Sequence, residues 1–196
     1  MNNINESCLS NQHRALLLHG TDSEAHFGFE CSDGWVPLID GTLRLASRYA
    51  TEHGLELRID HIKEKFGVLR TYHRGGDLTI DRIFDVAELV SSRTCEICGD
   101  VGKLREANGW LQTRCLKHQL PNSPVNTGLT HSEFYAVSYA KSVSLILWFF
   151  GDKYTPWLTR DCVALGGVKP VEALTTPQGC QQICTLLQRI EHGVTP

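Results

Sequence analysis

Between residues 95 and 118 the chain reads CEICGDVGKLREANGWLQTRCLKH. Two residues separate Cys95 from Cys98, two separate Cys115 from His118, and sixteen lie between the pairs. Thiolate and imidazole are the ligands of tetrahedral Zn²⁺, and two close pairs, each supplying two corners, let a short chain close around such an ion. Four protein ligands leave no open coordination position. The expected cofactor is therefore one structural Zn²⁺ on Cys95, Cys98, Cys115 and His118, an ion that clamps the chain and does not activate water. The intervening GKLREANGWLQTR suits a short hairpin.

Other reactive side chains form weaker patterns. Cys180 and Cys184 stand four apart on a predicted helix and read as small buried apolar residues; Cys8, Cys31 and Cys162 stand alone. Basic residues interleave with Phe66 and Tyr72 along residues 58–74, making Arg58, Lys63, Lys65 and Arg70 candidate nucleic-acid contacts. Glu56, Asp60 and Glu64 are threaded among them, which favours a solvated, self-paired face. The chain contains no H-E-x-x-H, G-x-S-x-G or P-loop, so a non-enzymatic role is expected.

The elements that must position the metal ligands follow from periodicity. DGWVPLIDGTLRLASRYATEHG places Trp35, Leu38, Ile39, Leu43, Ala46, Tyr49 and Ala50 on one helical face. LELRID alternates as a half-buried strand, KEKFG turns, and VLRTYH returns as its hairpin partner. LTIDRIFDVAELVSS is helical again through Ile80, Phe84, Ala87 and Val90. Beyond QLPNSPVNTGLT, which has the composition of a linker, everything reads as helix. SEFYAVSYAKSVSLILWFFG is one long, mostly buried helix; DKYTPWL is a short one capped by Asp152; PVEALTT follows a double glycine. TPQGCQQICTLLQRIEHG begins with Thr176 as cap and carries the stripe Ile183, Leu186, Leu187, Ile190.

These segments define an α+β class: a small zinc-stabilised α+β N-terminal domain followed by an all-α C-terminal bundle. The expected organisation is a weakly patterned segment over 1–30, the metal-binding domain over 31–120, a linker over 121–130 and a helical domain over 131–196. A chelator is expected to melt the first unit and spare the second. Hydrophobic content of 41% and charged content of 21% are those of a folded soluble protein. A net charge of −3 argues against binding nucleic acid through overall charge, while leaving room for a local basic patch. The first residues lack a basic segment and a long apolar run, so no secretory signal is expected. VSLILWFFG falls far short of the roughly 20 residues a spanning helix needs. A cytoplasmic location with reduced thiols follows, and no membrane partner.

FFGD (Phe149–Asp152), WL (Trp157, Leu158), ALGGVKPVEAL (Ala164–Leu174), LL (Leu186, Leu187) and RIEHGV (Arg189–Val194) occur in that order near the end of the chain. Together they resemble the toxin-binding domain of the Xre/MbcA/ParS antitoxins, over residues 131–196. DGW (Asp33–Trp35), LID (Leu38–Asp40), IKEKFG (Ile62–Gly67) and the two knuckles look like an uncharacterised zinc-knuckle family of bacterial and phage proteins, which implies no activity. The antitoxin resemblance implies a partner in trans: a RES-type toxin, or related enzyme, that consumes NAD⁺ and whose NAD⁺ pocket the antitoxin's C-terminal end blocks. Carried onto this chain, the partner-binding residues are Arg189, Glu191, His192, Gly193 and Val194. Gly166, Gly167 and Pro170 form a structural corner that fixes how the last two helices cross. Pro170 suits a first helical turn, and Glu172 faces the positive end of that helix. The helix-turn-helix expected ahead of such a domain is replaced here by the zinc unit. Two other readings stay open: a zinc-knuckle nucleic-acid-binding adaptor, and a phage or mobile-element factor acting on a host defence enzyme. Self-association into a homo-oligomer is undecided by sequence.

Overall fold

Helical structure begins where the sequence shows least pattern. The segment expected to be weakly patterned contains α1 (Asn3–Gln12) and the short α2 (Arg14–Leu17). With Ile4 exposed and Leu9 buried, α1 carries no apolar stripe that would reveal it. Polar ties hold it instead. The Asn2 side chain accepts from the Asn5 N–H at 2.9 Å, and the Asp33 carboxylate accepts from the Asn2 and Asn5 side chains at 3.0 and 3.1 Å. This computed structural model describes residues 1–17, 28–107, 109–119 and 133–194, so the expected linker over 121–130 lies outside the described residues.

After a 3₁₀ turn at Asp33–Trp35, α3 (Val36–Glu52) starts with Pro37 in its first turn and buries Leu38, Ile39, Leu43, Ala46 and Ala50. Strands β1 (Leu57–Lys65) and β2 (Val68–Gly75) pair antiparallel from Leu57↔Gly75 to Lys65↔Val68. Phe66 and Gly67, at φ 55° and 78°, make the left-handed two-residue turn that suits a twisted hairpin. So short a turn lets β1 run on to Lys65, past its expected end at Asp60. α4 (Leu78–Ser91) is capped by Asp77, whose carboxylate accepts from the Thr79 and Ile80 N–H groups at 2.9 and 3.1 Å. It lies against α3 and β2. A second antiparallel hairpin, β3 (Lys103–Ala107) with β4 (Trp110–Arg114), spans the expected interval between the knuckles.

The C-terminal region is helical throughout: α5 (Glu133–Phe150), α6 (Tyr154–Thr159), α7 (Pro170–Ala173) and α8 (Pro177–Glu191). By length and composition Glu133–Thr159 is apolar enough to cross a membrane. Here α5 packs on both α3 and α8, burying Tyr139, Val143 and Ile146 while Phe134, Val137 and Trp148 stay exposed. It is buried on one face, not all round. Asp152 does not cap α6: it sits in a 3₁₀ turn, its carboxylate pairs with Arg82 of α4, and Lys153 occupies the cap position without a side-chain bond. Trp35, Leu43 and Ile83 belong to the same contiguous buried cluster as Tyr139, Val143, Leu158 and Leu187. The mixed and helical regions therefore share apolar surface through the α3–α5 contact.

Candidate metal centre and toxin-binding surface

The first knuckle is a tight backbone turn. The Cys95 N–H donates to the Asp100 carbonyl and the Gly99 N–H to the Cys95 carbonyl, both at 2.8 Å. The second follows the end of β4, where the His118 N–H donates to the Cys115 carbonyl at 3.1 Å within the turn Leu116–His118. These turns converge. Cys98 Sγ lies 3.6 Å from Cys115 Sγ, and His118 Nδ1 lies 3.6 Å from Cys95 Sγ and 3.3 Å from Cys115 Sγ. All four ligand atoms fall within 4.8 Å of one another. A tetrahedral Zn²⁺ with bonds of about 2.3 Å to sulfur and 2.0–2.1 Å to nitrogen needs S···S and S···N edges of about 3.8 and 3.6 Å. The donor set and its spacing fit such an ion.

Cys95 and Cys115 are buried, while Cys98 and His118 are half-buried. Burial alone raises the Cys115 thiol, but hydrogen bonds from the His118 backbone and ring and from Cys98 and Cys95 outweigh it and bring the pKa down to about 7. The cluster thus favours the thiolate that metal binding requires at one corner. Burial, with the neighbouring thiols, pushes Cys98 upward.

A buttress that sequence reasoning missed holds the first knuckle in place. Trp35 Nε1 donates to the Thr94 carbonyl and the Gly34 N–H to the Glu96 carbonyl, each at 2.8 Å. Gly34 is needed for close approach: a Cβ there would lie 2.6 Å from both the Glu96 carbonyl oxygen and the Gly99 nitrogen. The buried Glu96 carboxylate accepts from Ser32 Oγ at 2.9 Å and from Arg114 at 2.6 Å. Thr113 Oγ1 donates to the Gly67 carbonyl at 2.7 Å, joining the second hairpin to the turn of the first. Nothing in the type or spacing of Gly34, Glu96 or Thr113 announces these contacts. Only the DGW triplet marked the region.

In the helical region, Gly166 and Gly167 adopt φ of 70° and 82°, with open space where a Cβ would stand. They serve a turn, not a close approach. The Gly166 N–H donates to the Val163 carbonyl and the Gly167 N–H to the Cys162 carbonyl, both at 2.9 Å. Pro170 then opens α7 at its first position, and Lys169 offers it no side-chain cap. Thr176 caps α8, accepting from the Gly179 N–H at 3.1 Å. Cys180 and Cys184 face α5, where Ser142 Oγ donates to the Cys180 carbonyl at 2.9 Å and lies 3.3 Å from Cys184 Sγ. They are packing residues.

Residues 146–193 match the antitoxin Xre/MbcA/ParS C-terminal toxin-binding domain. No curated protein and no solved structure matches the chain. The matched domain supports an antitoxin-like, regulatory role with a toxin as partner. It begins within α5 and ends at the C-terminal cap of α8.

Arg189, Glu191, His192, Gly193 and Val194 are all exposed at that end. The end of α8 is closed by backbone bonds. Gly193 takes φ 69°, its N–H donates to the Ile190 carbonyl at 3.1 Å, and the Val194 N–H donates to the Arg189 carbonyl at 2.9 Å. This pair of bonds closes the helix as a Schellman motif. Ile190, expected in the buried stripe, is 45% exposed, so the stripe ends at Leu187. Beside it runs a groove of 710 Å³ between the glycine corner and α8, lined by Leu165, Gly166, Gln182, Leu186 and Arg189 among others.

The expected nucleic-acid residues lie on β1–β2 and are largely engaged within the protein. Arg70 pairs with Glu88 at 2.9 Å, and Arg58 donates to the carbonyls of Ala15 and Leu57. Lys63 and Lys65 sit over the Tyr72 and Phe66 rings at 5.1 and 5.5 Å.

Proposed function

We propose that this protein neutralises a RES-type, NAD⁺-consuming toxin by seating its C-terminal end in the toxin's NAD⁺ pocket. The observation that carries the reading is the exposed, capped turn Arg189–Val194 at the edge of the matched domain. Arg189 and Glu191 present opposite charges there, suited to charge-assisted bonds in a polar pocket. The Schellman closure presents them on a shaped end, so little conformational entropy is lost on docking. The glycine corner sets the course of the chain from α6 into α7 and α8, and it borders the same groove as Arg189. A structural Zn²⁺ on Cys95, Cys98, Cys115 and His118 braces the N-terminal region, and a reducing cytoplasm keeps those thiols available.

Cells expressing a RES-type toxin should lose NAD⁺ and regain it when this chain is co-expressed. The double substitution Arg189→Glu with Glu191→Lys should abolish the recovery, since both side chains are exposed and the fold does not need them. Recovery of NAD⁺ to the same level by the substituted chain would overturn occlusion by this segment.

A further inference from the structure

The β3–β4 hairpin has two unlike faces. Its register places Lys103 opposite Arg114, Arg105 opposite Gln112, and Ala107 opposite Trp110. Alternation puts these six on one face and Leu104, Thr113, Glu106 and Leu111 on the other. The second face turns to the protein body, since Leu104 and Thr113 meet the turn at Gly67. On the first face Lys103, Arg105, Ala107 and Trp110 are exposed, while Gln112 and Arg114 are half-buried. All five residues of β3 are exposed, and Trp110 is 74% exposed.

Charge is sorted between these faces. Residues 101–119 carry four basic side chains and one acidic one in a chain whose net charge is −3. The single acid, Glu106, lies on the inner face. Arg114 is held by Glu96, but among the described residues neither Lys103 nor Arg105 has an acidic partner. This is the reverse of β1–β2, where Arg70 is paired with Glu88 and Arg74 with Asp60. The outer face therefore offers two unneutralised cations, an amide at Gln112 and an exposed indole, with no carboxylate among them.

We propose that this outer face binds single-stranded nucleic acid. Lys103, Arg105 and the Ala107–Trp110 pair follow one another along the hairpin in steps of about 7 Å. Two cations in line track a phosphate backbone, and Trp110 provides the platform on which one unpaired base stacks. A duplex hides its base faces from such a platform, so the surface selects single strands. The proposal is independent of toxin neutralisation, which uses Arg189–Val194 and no residue of this hairpin.

The test uses the zinc-loaded full chain with fluorescein-labelled dT₁₂ and U₁₂, followed by anisotropy between 50 and 200 mM KCl. Trp110→Ala should weaken binding at least about fivefold at fixed salt. Lys103→Gln with Arg105→Gln should lower the slope of log K against log salt by about 1.4, or 0.7 for each phosphate no longer neutralised. Lys141→Gln, on exposed α5 surface, should change neither. If Trp110→Ala fails to fold, Trp110→Phe keeps a stacking face and must keep binding. The proposal is overturned if the single strands do not bind at 100 μM protein, a limit set at about the weakest nonspecific affinities. It is equally overturned if binding ignores these substitutions, if a duplex of the same length binds more tightly, or if polyglutamate competes as well as dT₁₂, which would mark a surface for acidic polypeptides.

Discussion

Replacing Gly34 by Ala should loosen the metal centre without touching a ligand. The added Cβ would stand 2.6 Å from the Glu96 carbonyl oxygen and from the Gly99 nitrogen, and closer still to the Cys95 carbonyl oxygen. All three are backbone atoms of the knuckle, so no flexible side chain can swing away. Relief requires the turn and the start of α3 to separate by most of an ångström. That shift stretches the Gly34–Glu96 and Trp35–Thr94 hydrogen bonds, now both 2.8 Å, beyond useful length. Two broken bonds at about 1 kcal/mol each, plus an overpacking cost of 1–3 kcal/mol, give roughly 3 kcal/mol or more. For a chain of this size that is about 6–12 °C in melting temperature. Thermal unfolding of the zinc-loaded protein measures the loss, and competition with a chromophoric chelator measures the accompanying fall in metal affinity. A melting temperature within 1 °C of the parent, with unchanged metal affinity, would refute the buttress.

Stripping the metal should destabilise the whole fold, because the knuckle is bonded to the start of α3 and α3 packs on α5. Circular dichroism of the apo protein should show one broad transition at lower temperature; an unshifted helical transition would contradict the shared core. Burial raises the Asp40 carboxyl, but hydrogen bonds from His13 at 2.8 Å and Arg44 at 3.0 Å outweigh it and hold the pKa below its ordinary value. A lowered carboxyl contributes stability that is complete above about pH 4 and is lost as the pH falls through the folded value. Asp40→Asn should therefore cost roughly 2 kcal/mol at pH 7 and flatten the acid side of a urea-stability profile. Asp77→Ala removes both side-chain bonds at the start of α4 and should lower stability by about 1 kcal/mol, or 2–4 °C in a melting curve.

The convergence of Cys95, Cys98, Cys115 and His118 was legible because the chemistry and spacing of these residues are themselves the signal. A thiol pair, a second knuckle and a hairpin-length interval need no tertiary information to be read. Helices α3, α4 and α8 were legible through their apolar stripes, and the glycine corner through residue types that few other backbones require. What stayed hidden depends on partners distant in the chain. Periodicity tells which face of α3 is buried, but not that α5 covers part of it. The same spacing logic placed Ile190 in a stripe that stops at Leu187, and read Asp152 as a cap when Arg82 claims it. α1 escaped notice because it is tied down by Asn2, Asn5 and Asp33 and not by an apolar face. Gly34 and Glu96 meet directly at the first knuckle, and their types and spacing give no sign of that contact.

Toxin neutralisation through the C-terminal turn is tested most directly by titrating a purified RES-type toxin with this protein while following NAD⁺ consumption. The zinc-loaded full chain should inhibit to completion at about one chain per active site. A chain ending at Gln188, which keeps Leu186 and Leu187 in the core, should need at least tenfold more to reach the same inhibition. Failure of the full chain to inhibit, or equal inhibition by the shortened one, would contradict the account.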